Sequence, residues 1–471
     1  MKDPAAHSGL PACRRDAQGV AHVDVRAIIA LALPLMANSA AQLVMNLTDT
    51  WFIGRLSTDA LAAVGAVNWL VIVVVLLLAG IGMAVQTVAA QAHGARRRAR
   101  AAQAVWIALW GLLLTTPLFL AAGFAIRPML APFGLEPHLV DLAADFWLPR
   151  VGGSAFGAAA WAVMGFFNGI GRPRVTLVVT CLMAVGNAVF NELFLFHWHW
   201  GVAGSGLATT AAQAFGFIAA TGAFLHGHYR DGYRTHLTWR PNMLRILRQF
   251  QIGVPMGLMY AADLIGFTIF QLMQVRLGAV QGAASQVVLV LTAFCYMPGF
   301  GISTAGTTLV GQAIGAGHPQ WARRLGNHII VLTAACMGGL GALLALGAPW
   351  LLPLFLGHTD ASTPQVLELA MQLLWIAAAY QLFDGLTMSA SCCLRGAADA
   401  IVPAMLVLVL SWGLFVPLAQ VLTFAPGQGW FASLPALGLG ARGGWYAVVV
   451  YIFLCAIALL GRWRSHRWQA A

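Results

Sequence analysis

Three carboxylates stand inside long apolar stretches: Asp49 in VMNLTDTWFIGRL, Asp263 in YAADLIG and Asp384 in YQLFDGLT. Tyr380 precedes Asp384 by four residues, so the two share a helix face. Asn187 and Asn191 repeat that spacing in GNAVFNELFLF. Charged groups at bilayer depth are costly, and they usually pair or mark an ion path. Asp263 and Asp384 each lie about halfway along their stretch. Two carboxylates at similar depth can bind Na⁺ through oxygen ligands. They can also share a proton, because like charges in low dielectric do not both stay ionised. Asparagine adds neutral donors and acceptors suited to a wet cavity. The plainer readings are acids satisfied by water in a cleft and amides that hydrogen-bond between helices.

Other reactive residue types form no constellation. The cysteines Cys13, Cys181, Cys295, Cys336, Cys392, Cys393 and Cys455 lie mostly in apolar runs, without metal-ligand spacing, and read as small apolar fillers. His197 and His199 have no further candidate ligands around them. Glu192 falls on another helix face from Asn187 and Asn191 and reads as interfacial. Arg150 either braces the bundle or lines a cleft, and Asp145, five residues away, is poorly spaced to pair with it. No HExxH pair, GxSxG elbow or Walker loop is present. The expectation is therefore not an enzyme and no cofactor. Without an ATP site, any transport must draw on an ion gradient, with Na⁺ or H⁺ as the coupling ion.

These residues need a scaffold that lipid dissolves. The 471 residues are 60% hydrophobic and only 9% charged, against roughly 25% charged in a soluble domain. A spanning helix takes about 20 mostly apolar residues. Twelve candidates fall near 26–53, 60–91, 101–127, 138–167, 174–197, 203–226, 246–275, 282–313, 324–351, 364–393, 400–424 and 438–461. Of the 26 Lys and Arg, 21 lie in the two terminal segments or in alternate connections, among them Arg96–Arg100 and Arg230–Arg248. The positive-inside rule then makes both termini and the long central connection cytoplasmic. The net charge of +11 is thus a topology signal, and no nucleic-acid partner is expected. Residues 1–23 lack a signal-peptide pattern and read as a mobile cytoplasmic tail.

The chain also repeats itself. Pro34 matches Pro255 at an offset of 221. Arg55-Leu56 matches Arg276-Leu277, Gly80 matches Gly301, Gln91 matches Gln312 and Gly94 matches Gly315 at the same offset. Two copies of a six-helix unit follow, inserted in the same orientation. Such repeats are related by an axis along the membrane normal, with substrate between them near the midplane. The expected organisation is a tail at 1–23, an N-lobe at 24–226, a cytoplasmic linker at 227–245, a C-lobe at 246–461 and a cytoplasmic tail at 462–471. Pro34 and Pro255 sit within spanning segments as candidate bending points. At the same offset Asp49 faces Phe270, so the scaffold is shared and the acid is not. That asymmetry favours a functional Asp49 over an architectural one.

The ordered set ALPLMANSAAQLVMNLTDTWFIGRLSTDALAAVGAV, GIGMAVQTVAAQAHGAR, GNAVFNELFLF, GVAGSGLATT, GVPMGLMYAADL and GFGISTAGTTLVGQAIGAG resembles the multidrug and toxic compound extrusion (MATE) family, NorM-like branch, from about residue 24 to 460. The resemblance implies an all-α membrane protein of twelve transmembrane helices in two six-helix bundles. It implies alternating access and export of amphipathic, mostly cationic drugs in exchange for Na⁺ or H⁺. It also implies a cation site at Asp263, Asp384 and Tyr380, although Asp263 stands where that branch carries Glu. An N-lobe polar network of Asp49, Asn187 and Asn191 is implied as well, with Asp49 as its main acid. No metal is expected beyond Na⁺ at Asp263 and Asp384. A monomer in a bacterial-type inner membrane is expected, with lipid and small organic cations as partners. The alternative is a flippase for lipid-linked precursors, which should place several basic residues in its cleft, where only Arg150 is a candidate.

Overall fold

The computed structural model describes residues 10–130, 136–356, 363–429 and 436–469. Within them the chain is almost wholly helical. The helices are α1 Val25–Gly54, α2 Thr58–Gly94, α3 Arg98–Phe124, α4 Ile126–Leu130, α5 Pro137–Gly152, α6 Ser154–Gly169, α7 Pro173–Asn191 and α8 Gly201–Leu225. They continue as α9 Gly227–Tyr233, α10 Met243–Arg276, α11 Ala279–Gly315, α12 Pro319–Leu356, α13 Thr363–Gly396, α14 Ile401–Leu410, α15 Val416–Thr423 and α16 Gly440–Arg464. Among the described residues, 11 stretches are long and apolar enough to cross a bilayer, counting α14 and α15 as one. The twelfth expected span, 138–167, is divided into α5 and α6. Pro149 has no N–H to give to the turn before it. At the joint, Gly153 faces the Thr210 side chain so closely that a Cβ there would overlap it.

Two further segments wind as π-helices, Glu192–His197 after α7 and Ser411–Phe415 between α14 and α15. Pro34 lies inside α1 and Pro255 inside α10.

The N-terminal segment departs from the expected irregular tail. Cys13–Arg15 and Ala21–Val23 pair as a two-stranded hairpin. The Asp16 carboxylate accepts from the Val20 N–H at 2.9 Å and the Gln18 N–H at 3.0 Å, which closes the turn. Residues 1–9 of that tail lie outside the described residues. The far end is also ordered: Trp468 is buried, stacks on Trp463 at 4.7 Å and donates to the Trp463 carbonyl at 2.7 Å.

The chain forms two compact units. Unit 1 joins residues 1–13, 37–261 and 307–322, and unit 2 joins 14–36, 262–306 and 323–471. In unit 1, α2 packs on α6 through small residues, the usual device where lipid gives helices no hydrophobic reason to associate. A Cβ on Gly165 would meet the Gly82 carbonyl at 3.1 Å, and one on Gly169 the Gln86 carbonyl at 2.7 Å. The connection before α10 is held to α3, since Trp106 Nε1 donates to the Thr235 carbonyl at 2.8 Å and Trp110 Nε1 to the Trp239 carbonyl at 2.7 Å. In unit 2, α13 packs on α16, and buried Phe270, Phe415, Trp445 and Tyr451 join α10 and the second π-helical turn to α16.

The sequence offset of 221 recurs in the packing. Within unit 1, Gly94 of α2 touches the backbone of Gln312 in α11, and Gly315 of α11 touches the backbone of Gln91 in α2. Each contact is the repeat image of the other. Gly80 against Gly257 in unit 1 and Gly301 against Met36 in unit 2 form a second such pair. The α2–α11 crossing is reinforced by Gln86 Nε2 donating to Thr308 Oγ1 at 3.0 Å, and α11 is tied to the end of α6 by Gln312 Nε2 donating to the Gly169 carbonyl at 2.8 Å.

Candidate functional site

The three carboxylates Asp49, Asp263 and Asp384 fall in two sites, one in each unit. In unit 1, Asp49 sits near the end of α1 and is half-buried. Asn191 Nδ2 donates to Asp49 Oδ1 at 2.7 Å, and Thr209 Oγ1 lies 3.3 Å from Asp49 Oδ2. Asn187 Nδ2 donates to Thr209 Oγ1 at 3.4 Å, so the hydroxyl can pass its own proton toward the acid. The three residues expected to share this site are therefore together. Both asparagines are fully buried, yet neither Oδ1 meets a donor among the described residues.

Arg150, on α5, points its electrostatic influence at Asp49 from beyond ion-pair distance, and its Nη1 lies 3.4 Å from Gln213 Oε1. Thr209 and Gln213 belong to a polar line on α8, Ser205–Thr209–Gln213, with four-residue spacing and every member buried. That line was readable in GSGLATTAAQAFG, but its spacing gives only a face, not the helix it faces. Glu192 is exposed at the start of the π-helical segment, in keeping with an interfacial role. Asp145 is exposed as well and takes no part.

In unit 2, Asp263 on α10 and Asp384 and Tyr380 on α13 form the second site. Tyr380 stands one turn before Asp384 on the same helix, and Asp263 is within electrostatic reach of Asp384. The direct partner of Asp263 is a residue the sequence did not single out: Tyr451 Oη of α16 donates to Asp263 Oδ1 at 2.7 Å. Asp384 Oδ2 is buried and accepts nothing among the described residues. No described basic side chain pairs with either acid. Aromatic rings border the pair: Phe415 stacks on Tyr451 at 4.9 Å, and Phe267 lies 5.9 Å from Phe415 and 6.1 Å from Tyr380. The π-helical turn before α15 carries Phe415 into this position, and such turns are frequent at functional sites. Ring faces attract cations, so this wall complements the carboxylates. Among the described residues no group of three or more His, Cys, Asp or Glu gathers for a transition metal.

Spans repeated at a fixed offset, with acids held among neutral donors inside them, define a repeat-built multi-pass membrane protein. A family model, MatE, matches residues 34–193 and again 255–421, starting at the two repeat-related prolines. A probable multidrug resistance protein NorM of Burkholderia pseudomallei is 33% identical over 454 residues, 94% of this chain and 92% of that protein. Its namesake from Pseudomonas aeruginosa is 32% identical over 465 residues, 95% and 90% of the two chains. The solved outward-facing structure of a multidrug resistance MATE family transporter of the MOP superfamily shares the fold, with a TM-score of 0.81, 21% identity, and coverage of 94% and 95%. The chain belongs to the MatE family, a family of multidrug efflux transporters, and is similar to its NorM members.

Proposed function

We propose that this chain is a secondary active antiporter that exports amphipathic, mostly cationic organic compounds in exchange for inward Na⁺ or H⁺. The observation that carries this reading is the Asp263–Asp384 pair. A buried Asp384 and a half-buried Asp263 lie among tyrosines and aromatic rings, have no basic partner among the described residues, and leave one carboxylate oxygen there without a donor. A buried charge without a partner is destabilising, so the pair acquires a proton or a metal cation of the hard, oxygen-seeking kind. A cationic drug on the same acids would displace that ion, which couples the two fluxes in opposite directions. Tyr451 orients Asp263 through its hydrogen bond, and Tyr380 stands one turn from Asp384 on the same helix.

The Asp49–Asn187–Asn191 network is the second cation-binding element, with Thr209 as the relay between amide and acid. Alternating access has each site facing one side at a time, with Pro34 and Pro255 as the bending points of α1 and α10. The Arg-rich end, with both termini, faces the cytoplasm of a bacterial inner membrane. A flippase for lipid-linked precursors has less support, because its diphosphate would need basic residues and Arg150 is alone at either acidic site among the described residues. Accumulation of a fluorescent organic cation in expressing cells tests the proposal. Asp263→Asn and Asp384→Asn should each raise retained dye to the level of cells without the protein. Wild-type export by both variants, at equal membrane abundance, would remove the site.

A further inference from the structure

Unit 1 carries a second polar feature that the two acidic sites leave unused. At its Arg-rich end lies a cavity of about 730 Å³, lined by Arg97 and Arg100 at the start of α3 and Arg245 and Arg248 at the start of α10. Gln103 and Gln249 add amides to the lining, and no carboxylate is part of it. None of the four arginines forms an ion pair among the described residues.

The arrangement is more than a charge bias between loops. Arg245 and Arg248 are spaced i, i+3 and so share a face of α10, while Arg97 stands at the cap of α3 and Arg100 in its first turn. The two helices bring their positive ends to the same cavity. They are tied together beside it, since Gln249 Nε2 donates to the Ala104 carbonyl at 3.2 Å. Orienting the chain in a membrane requires only that basic residues be on one side. It does not require two pairs to converge on one concavity between helix starts.

We propose that this cavity binds the headgroup of an anionic phospholipid carrying two phosphates. Two arginine pairs match two phosphates, because the planar guanidinium fork engages phosphate oxygens bidentately. The volume is that of a small-molecule site rather than of a single-phosphate notch. Basic pockets between helices at the cytoplasmic end are a recurrent form of lipid headgroup site. The surface leading away from the cavity fits acyl chains. On α10, Leu244 is 73% exposed and Leu247 54%, and Val254 and Leu258 are 45% each, at helical spacing on one face. The headgroup would also touch Gly315 and Gln91, at the α2–α11 crossing. Bound lipid therefore fastens α3 and α10 to that crossing and stabilises it.

The test is binding by the purified full-length chain in detergent, read by native mass spectrometry and by the shift in melting temperature. The probes are diphosphatidylglycerol, phosphatidylglycerol, phosphatidylcholine and sodium pyrophosphate. The diphosphate lipid should bind about tenfold tighter than phosphatidylglycerol, as expected from a second set of charge-assisted contacts. Arg245→Gln with Arg248→Gln, and separately Arg97→Gln with Arg100→Gln, should each weaken it about tenfold or more. All four side chains are exposed, so the variants keep their core. Arg323→Gln with Arg324→Gln, an exposed pair outside the cavity, should leave binding unchanged. Equal weakening by that control pair would mean general surface attraction and overturn the proposal. So would pyrophosphate matching the lipid, or phosphatidylcholine binding as well. On the wild type alone, affinity should fall as salt rises, and a flat dependence would also overturn it.

Discussion

Placing a methyl group at the α2–α11 crossing should part it, and the repeat predicts that this can be done from either side. A Cβ on Gly94 would lie 2.8 Å from the Gln312 Cα, and one on Gly315 would lie 2.8 Å from the Gln91 Cα. Ordinary carbon contacts are roughly 3.5–4.0 Å and the opposing carbonyl oxygens lie nearer still, so the helices must separate by at least about 1 Å. Only backbone stands opposite, and no flexible side chain can give way. Overpacking of this kind costs about 1–3 kcal/mol. Gly94→Ala and Gly315→Ala should therefore each lower the melting midpoint in detergent by a few degrees, followed by tryptophan fluorescence. The double variant should cost less than the two singles added, because the first methyl already opens the space for the second. Gly222→Ala in α8 is the control: nothing lies within 4 Å of its Cβ, and alanine should stabilise the helix by up to about 1 kcal/mol. If Gly94→Ala behaves like Gly222→Ala, or if only one of the two repeat partners is sensitive, the reciprocal crossing is wrong.

Other consequences follow from single contacts. Tyr451→Phe removes the 2.7 Å donor to Asp263 and should lower export while leaving membrane abundance unchanged, measured by dye efflux against immunoblotted protein. Thr209→Val should impair export more than Thr210→Val, since only Thr209 reaches Asp49, while Thr210 donates to the Pro149 carbonyl. Arg462 Nε meets the buried Asp399 Oδ2 at 2.7 Å, so Arg462→Gln should destabilise unit 2 by about 3 kcal/mol through the carboxylate it strands, seen as a lowered melting midpoint. In the hairpin, the Val20 N–H and then the His22 side chain hold the Asp16 carboxyl below its ordinary value of 3.8. A lowered folded value means that this contribution is complete above pH 3.8 and is lost as pH falls further. The protection factors of the amides at residues 18–22, exchange rates corrected for their intrinsic pH dependence, should accordingly hold at pH 5 and fall only in stronger acid.

Much of the scaffold was legible because lipid imposes simple demands. Spans announce themselves by apolar length, and the repeat by an offset that reappears atom against atom at Gly94 and Gly315. The pair Asn187 and Asn191 was legible too, because helical spacing fixes a shared face. What spacing cannot give is the partner across the bundle. Tyr451 lies 188 residues from Asp263, in an unremarked AVVVYIFLC run, and only packing joins them. Arg150 stayed undecided for the same reason: its influence on Asp49 depends on how α5 lies beside α1 and α8. The division at Gly153 was hidden because a proline and two glycines within an apolar stretch also fit a continuous span. The hairpin at residues 13–23 was read as irregular because six strand residues carry almost no periodic signal, and its stability rests on a single Asp16 turn.

The most direct test of the coupling mechanism uses the purified chain in liposomes, with Na⁺ and pH gradients imposed separately and uptake of an organic cation followed in time. At least one gradient should drive transport in the wild type, dissipating it should stop transport, and Asp384→Asn should leave only the gradient-independent leak. Gradient-driven transport by Asp384→Asn at the wild-type rate would contradict it.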